Sequence, residues 1–149
     1  MLNIYVDGDA CPVKDEVFRV AERHSLKVYL VSNSWHRIGS NTFVEQVVVS
    51  QGPDVADDWI AERVGDGDIV ITSDIPLADR CIKNAAYAMA PTGKSFTPDS
   101  IGMALAVRNL MTDLREIGEA TGSNASFTKQ DRSRFLSKLE TQIIAIKRQ

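Results

Sequence analysis

Six aspartates hold most of the chemistry open to this chain. Asp7 and Asp9 stand in IYVDGDACP, Asp57 and Asp58 in PDVADDWI, Asp74 in IVITSDIP, and Asp79 follows five residues later. Carboxylates that folding brings together repel one another, and a hard divalent cation with oxygen ligands relieves the repulsion. Asp supplies such oxygens on a short stem that a strand end can hold rigidly. Two cations about 4 Å apart can activate a water and stabilise a leaving oxygen. The chemistry expected is phosphodiester hydrolysis, with Mg²⁺ or Mn²⁺ as cofactor. Asp7, Asp57, Asp58, Asp74 and Asp79 are the candidate metal ligands. Asp7, Asp9, Asp58 and Asp74 are the candidate catalytic acids, with Asp9 or Asp58 assisting proton transfer. His24, at a helix end, and His36, in a loop, are not placed to act as a general base.

Positioning these acids requires strands and helices in alternation. Residues 2–8 are apolar and β-branched and predict a strand that ends at Asp7-Gly8. Pro12 suits the first turn of a helix reaching His24. Strands are predicted over 26–32 and 42–50, separated by the polar loop NSWHRIGSN. Asp54 can cap a helix over 55–64, and the paired acids Asp57 and Asp58 fall in its first turns. A strand over 68–73, a short helix over 75–84 and a strand over 86–91 follow. Two helices are expected after Thr97, the first ending at Gly118, with ATGSNAS as a linker and Thr128 and Asp131 as a capping box for the second. Alternation of this kind predicts an α/β three-layer sandwich with a central, mainly parallel sheet. Residues 1–97 form its core and 98–149 a C-terminal helical part of the same single domain. Parallel strands share a C-terminal edge, where ligands bind. Asp7 and Asp74 end strands there.

Composition narrows the classes. With 149 residues, 44% hydrophobic and 25% charged, the chain can bury a full core. No apolar run approaches the roughly 20 residues of a membrane helix, so no membrane partner is expected. The N-terminus lacks the basic region of a signal peptide, and two cysteines make neither a disulfide framework nor a zinc site. A cytoplasmic location is the expectation. Net charge is −3, yet residues 1–100 hold 9 Lys/Arg against 15 Asp/Glu and residues 101–149 hold 8 against 5. An acidic body with a mildly basic C-terminal part suits metal at one place and phosphate at another.

Each acid alone also has a structural account. Asp-Gly forms turns, and Asp9 and Asp74 can cap the helices that follow them. Asp57 and Asp58 complement a helix dipole. Cys11, before Pro12, stands where a helix N-terminus lowers a thiol pKa, but with no histidine nearby a packed small residue is the better account. Cys81 reads as structural. Arg108 and Arg115 share a helix face. Lys129, Arg132 and Arg134 crowd the start of the last helix, where the dipole disfavours cations, and with Asn33 they are candidates for contacting a nucleic-acid backbone. Solvated or salt-bridged faces are the alternative, with Asp131 and Glu140 as partners. Trp35 can stack on a base or pack in its loop.

VDGDACP, PDVADDWI, GDIVITSDIPLADRCI and SFTKQDRSRF together resemble the YaiI/YqxD-like family, over nearly the whole chain and in motif order. The resemblance implies a PIN-like nuclease superfold. That group uses an acid ending its first strand, a second on a mid-chain helix and a third in a T-x-D context after a later strand. Asp7, Asp57 or Asp58, and Asp74 match those places, with Thr72 as the threonine and Asp79 as an optional fourth acid. Asp9 with Cys11 departs from many such nucleases. The resemblance implies a ribonuclease with RNA as partner; a second copy of the chain is the other partner considered. The alternatives are a non-catalytic nucleic-acid- or protein-binding relative and a haloacid dehalogenase-like phosphatase. In the phosphatase Asp7 would be nucleophile, Thr72 or Ser73 the second motif and Lys83 or Lys94 the lysine, but here the Asp57-Asp58 pair comes too early for that motif order.

Overall fold

The structure, a computed structural model, describes residues 2–9, 11–38, 41–52, 54–116 (side chains only as far as 111) and 127–149. The elements run β1 (Asn3–Asp7), α1 (Lys14–His24), β2 (Lys27–Ser32), β3 (Val44–Val48), α2 (Val55–Arg63), β4 (Ile69–Ile71), α3 (Ile75–Lys83), β5 (Tyr87–Met89), β6 (Ser95–Phe96), α4 (Ile101–Glu116) and α5 (Lys129–Lys147). One six-stranded sheet has the order β3-β2-β1-β4-β5-β6. Its first five strands are parallel and β6 pairs antiparallel with β5. The strand β6 has no counterpart in the expectation from sequence: two residues carry no period that could signal it. The expected linker over 120–126 lies outside the described residues.

Side-chain alternation along the strands sorts the core into two layers. Ile4 and Val6 of β1 join Val28, Leu30, Ile69 and Ile71 under α1 and α5, whose Val17, Phe18, Phe135, Leu139 and Ile143 close that layer. The residues between them face the other way. Tyr5, Val31 and Val70 pack with Ile60 of α2 and Leu77 and Cys81 of α3. A smaller cluster of Ala78, Ala88, Phe96 and Ile101 seats α4 beside α3 and the antiparallel edge. The result is the expected three-layer sandwich.

Local signals explain the junctions. Gly8 donates its N–H to Val31 O at 2.8 Å, and a Cβ there would stand 2.8 Å from Leu30 Cδ1. Only glycine lets the chain leave β1 so close to β2. Gly93, at φ +90°, turns between β5 and β6, where a Cβ would meet the Arg134 and Phe135 backbone at 3.0 Å. Thr128 and Asp131 form the expected capping box at the start of α5. Asp54 does occupy the N-cap of α2, but in the left-handed region at φ 69° and with no side-chain cap bond.

Candidate functional site

The strand order reverses between β1 and β4, which makes their C-terminal edge the switch point of the sheet. Val6 pairs with Ile71, so the next residues, Asp7 and Thr72, leave the sheet side by side. By alternation Asp7 follows Tyr5 and Thr72 follows Val70, toward the layer that holds α2 and α3. Asp57 lies near the start of α2 and Asp74 immediately before α3. Two strand ends and two helix starts therefore deliver three carboxylates to one place.

The bonds there are specific. Thr72 Oγ1 donates to Asp7 Oδ2 at 2.9 Å and accepts from the Asp74 N–H at 2.9 Å. Asp74 Oδ1 accepts from the Leu77 N–H at 2.9 Å and caps α3, with Pro76 in the first turn. The capping role and the site role of Asp74 thus coexist, since one oxygen caps and the other remains. Burial raises the Asp7 carboxyl above its ordinary range, the Thr72 hydroxyl opposes this, and the charges of Asp74 and Asp9 add to it. Asp57 is pushed up to about 7, chiefly by burial and then by the charges of Asp74, Asp7 and Asp54 and by a side-chain hydrogen bond with Asp74. Asp57 therefore holds its proton to a higher pH than an ordinary carboxyl does.

Beside Asp7 lies a cavity of about 80 Å³ lined by Asp9, Cys11, Ile71, Thr72, Ser73 and Pro91 as well. It has room for an ion and a few waters, not for a base. Among the described residues, no group of three or more His, Cys, Asp or Glu side chains stands ready as a metal cage. The donor set fits a small hard cation held by one or two carboxylates with water completing its shell, the habit of Mg²⁺. The uncompensated charge of the cluster is the feature such an ion would satisfy.

Of the remaining candidates Asp9 lines the same cavity, and the others are placed elsewhere. Asp58 pairs with Arg80 at 2.8 Å on the exposed side of α2 and α3. Asp79 pairs with Lys83 at 2.9 Å. Asp9 accepts from Ser32 Oγ at 2.9 Å and from the Asn33 N–H at 3.4 Å, so its carboxylate holds the β2–β3 loop. Arg132 pairs with buried Glu16 and donates to Pro12 O at 3.1 Å, binding α5 to α1. Arg134 pairs with Asp131 at 3.1 Å. Both arginines are salt-bridged, Arg134 to the expected Asp131 but Arg132 to Glu16, while Glu140 pairs with Arg23 and His24. Lys129 is exposed. Arg108 lines a groove of about 640 Å³ that starts at Ser73, the residue shared with the acidic cavity, and passes Lys94 and Phe96 along α4. The side chain of Arg115 lies outside the described residues.

Two residues at this edge, Lys14 and Ser32, escape a reading of the sequence. Lys14 donates to Gly8 O at 3.1 Å and is the cation of the Asp7–Asp9 loop. Its position at the first residue of α1, against the dipole, was the available signal. Ser32 Oγ lies 2.9 Å from His36 Nε2, so His36 reaches Asp9 through one hydroxyl. Cys11 is packed in the core and its thiol is raised by burial, which overrides the helix N-terminus. Cys81 is pushed up to about 12 by burial.

The profile of the uncharacterised BCR, YaiI/YqxD family matches residues 5–145, from β1 through α5. The chain belongs to the YaiI/YqxD family. A UPF0178 protein of Parvibaculum lavamentivorans is 60% identical over 148 residues, covering 99% of this chain and 97% of that one. Similar relatives occur in Rhodopseudomonas palustris strain TIE-1, at 59% with 99% and 94% covered, and in Nitrobacter winogradskyi, at 56% with 99% and 94% covered. No solved structure matches the chain. No described helix of this family member is long and apolar enough to cross a membrane.

Proposed function

We propose that this YaiI/YqxD protein is a metal-dependent ribonuclease with its site at the β1–β4 edge. The observation behind it is the group of Asp7, Asp57 and Asp74, three acids of which none is in a salt bridge among the described residues and two are raised in pKa. A fold spends stability on such a cluster when the cluster binds something. Mg²⁺ or Mn²⁺ there would polarise a phosphodiester and supply an acidified water.

The protein's own groups divide the remaining work. One or two of Asp7, Asp74 and Asp57 would hold the ion, with water completing its shell. Thr72 fixes the Asp7 carboxylate by its hydroxyl and so sets which oxygen is left for a ligand. Lys14, tethered to the same loop, is the cation available to a phosphate oxygen. Asp9 acts as a positioning residue through Ser32 and Asn33. Asp58 and Asp79 stand outside the ligand layer because each carboxylate is engaged by its own cation. The PIN-like resemblance of the motifs supports the same assignment of Asp7, Asp57 and Asp74.

A second reading, non-catalytic binding of nucleic acid, draws on the capping bond of Asp74, which gives that carboxylate a structural task. Turnover separates the two. Purified protein with Mn²⁺ should cleave mixed RNA, and Asp7→Asn with Asp74→Asn should stop cleavage while melting cooperatively. RNA binding without cleavage at any Mn²⁺ concentration would remove the nuclease and leave the binding protein.

A further inference from the structure

We propose that Trp35 is a stacking platform for a base of a single-stranded nucleic acid whose backbone crosses the acidic cavity; the substrate assignment rests on the nuclease function proposed above. Trp35 is 72% exposed, more than any other large hydrophobic side chain described. An indole in water gains nothing by staying there, whereas covering it would be worth about 2 kcal/mol or more. The backbone around it is nonetheless held from both sides. The Ser34 N–H donates to Ser32 Oγ at 3.1 Å. The His36 N–H donates to Gln46 Oε1 at 3.0 Å, and Gln46 Nε2 donates back to His36 O at 2.6 Å. Ser32 in turn donates to Asp9, a lining residue of the cavity. Trp35 is therefore the free ring between two anchored residues, and its mount is tied to the site.

The surroundings favour a nucleic acid. The loop springs from β2, the neighbour of β1, so it starts about 5 Å from the strand that carries Asp7. Arg37 is exposed, two residues along the same loop, and has no ion-pair partner among the described residues. Across the cavity, on the β6 side, Lys94, Phe96 and Arg108 line the larger groove. An exposed aromatic face on one flank of a phosphodiester site, with cations on both, suits a strand whose bases are unpaired, because every base presents a π-face. A paired duplex keeps those faces stacked inside.

The test uses Trp35 as its own reporter. The chain has two tryptophans, and Trp59→Phe leaves Trp35 alone while keeping an aromatic ring against Tyr5 and Tyr29. This variant is titrated with short oligouridylate in EDTA, so that binding is read without cleavage. Quenching of the indole is expected, and Trp35→Ala in the otherwise native chain should weaken binding about 5- to 150-fold. Ser32→Ala, which frees the mount from Asp9, should weaken it less. Quenching together with failure of the native chain to cleave RNA in Mn²⁺ would uphold the platform and remove only the hydrolysis. Cleavage with an unquenched Trp35, and equal affinity for Trp35→Ala, would overturn the platform and leave the nuclease standing. Loss of self-association in Trp35→Ala with unchanged oligouridylate binding would likewise overturn it, assigning the loop to a protein interface.

Discussion

Two acidic places in this molecule, one buried and one half-buried, are treated in opposite ways. On the α1–α5 face, Glu16 is buried and Arg132 reaches it across the layer, with the guanidinium also bonded to Pro12 O and lying over the Phe127 ring. One oxygen, Glu16 Oε2, remains without a partner. On the α2–α3 face, Asp7, Asp57 and Asp74 meet at the sheet edge, and among the described residues no cation pairs with any of them. The first place is a fastening between two helices. The second holds charge unbalanced, and burial with that crowding raises the Asp57 carboxyl to about 7. Other acids are matched by cations: Asp58 by Arg80, Asp79 by Lys83 and Asp131 by Arg134.

Variants can break that contrast. The largest effect expected is on turnover. Asp7→Asn should lower Mn²⁺-dependent RNA cleavage about a thousand-fold, or about 4 kcal/mol of transition-state stabilisation, with stability equal or higher because a burdened charge is gone; cleavage assays paired with urea unfolding measure both. Arg132→Ala should do the reverse. It strands the Glu16 carboxylate and should cost about 3 kcal/mol in urea unfolding, leaving cleavage per folded molecule unchanged. A loss of turnover in the folded fraction would mean that the two places are not independent.

Smaller effects sharpen the comparison within the site. Thr72→Val removes the hydroxyl that orients Asp7. Mn²⁺ affinity should fall about 10- to 100-fold, as for other outer-layer partners of ligands, which calorimetry would read; an unchanged affinity would place the ion away from Asp7. The weakest signal is in pH. Because the folded protein holds the Asp57 proton up to about 7 and the unfolded chain releases it near 3.8, that proton favours the fold fully at low pH, and its contribution declines as pH rises through this window. In EDTA, the melting temperature of the native chain should fall relative to Asp57→Asn between about pH 4 and about pH 7, and Mn²⁺ should abolish the difference. Asp58→Asn loses an exposed ion pair worth less than about 1 kcal/mol and should track the native chain across the same range.

Much of this was legible in residue order. Strand and helix periods gave the layers, the Asp-Gly and Thr-x-Asp contexts gave the sheet edge, and the capping box at Thr128 was readable outright. The less legible parts share a cause. Asp57 and Asp58 are neighbours on one helix and equivalent in sequence, yet about 100° of rotation separates a raised carboxyl from an exposed ion pair. Arg132 and Arg134 looked like phosphate contacts because their partners were not fixed by sequence: Glu16 is distant, and Asp131 could have faced water. Lys14 and Ser32 carried no motif, and their importance comes from what stands next to them.

The sequence alone determined which residues alternate, which turns need glycine, which positions cap helices and therefore the α/β layering, because these are local consequences of backbone geometry. Only the tertiary structure decided which acids share a field and which are answered by a cation. That depends on distances of a few ångströms between segments about 65 residues apart, and Coulomb energy in a buried place is set by those distances rather than by any pattern along the chain.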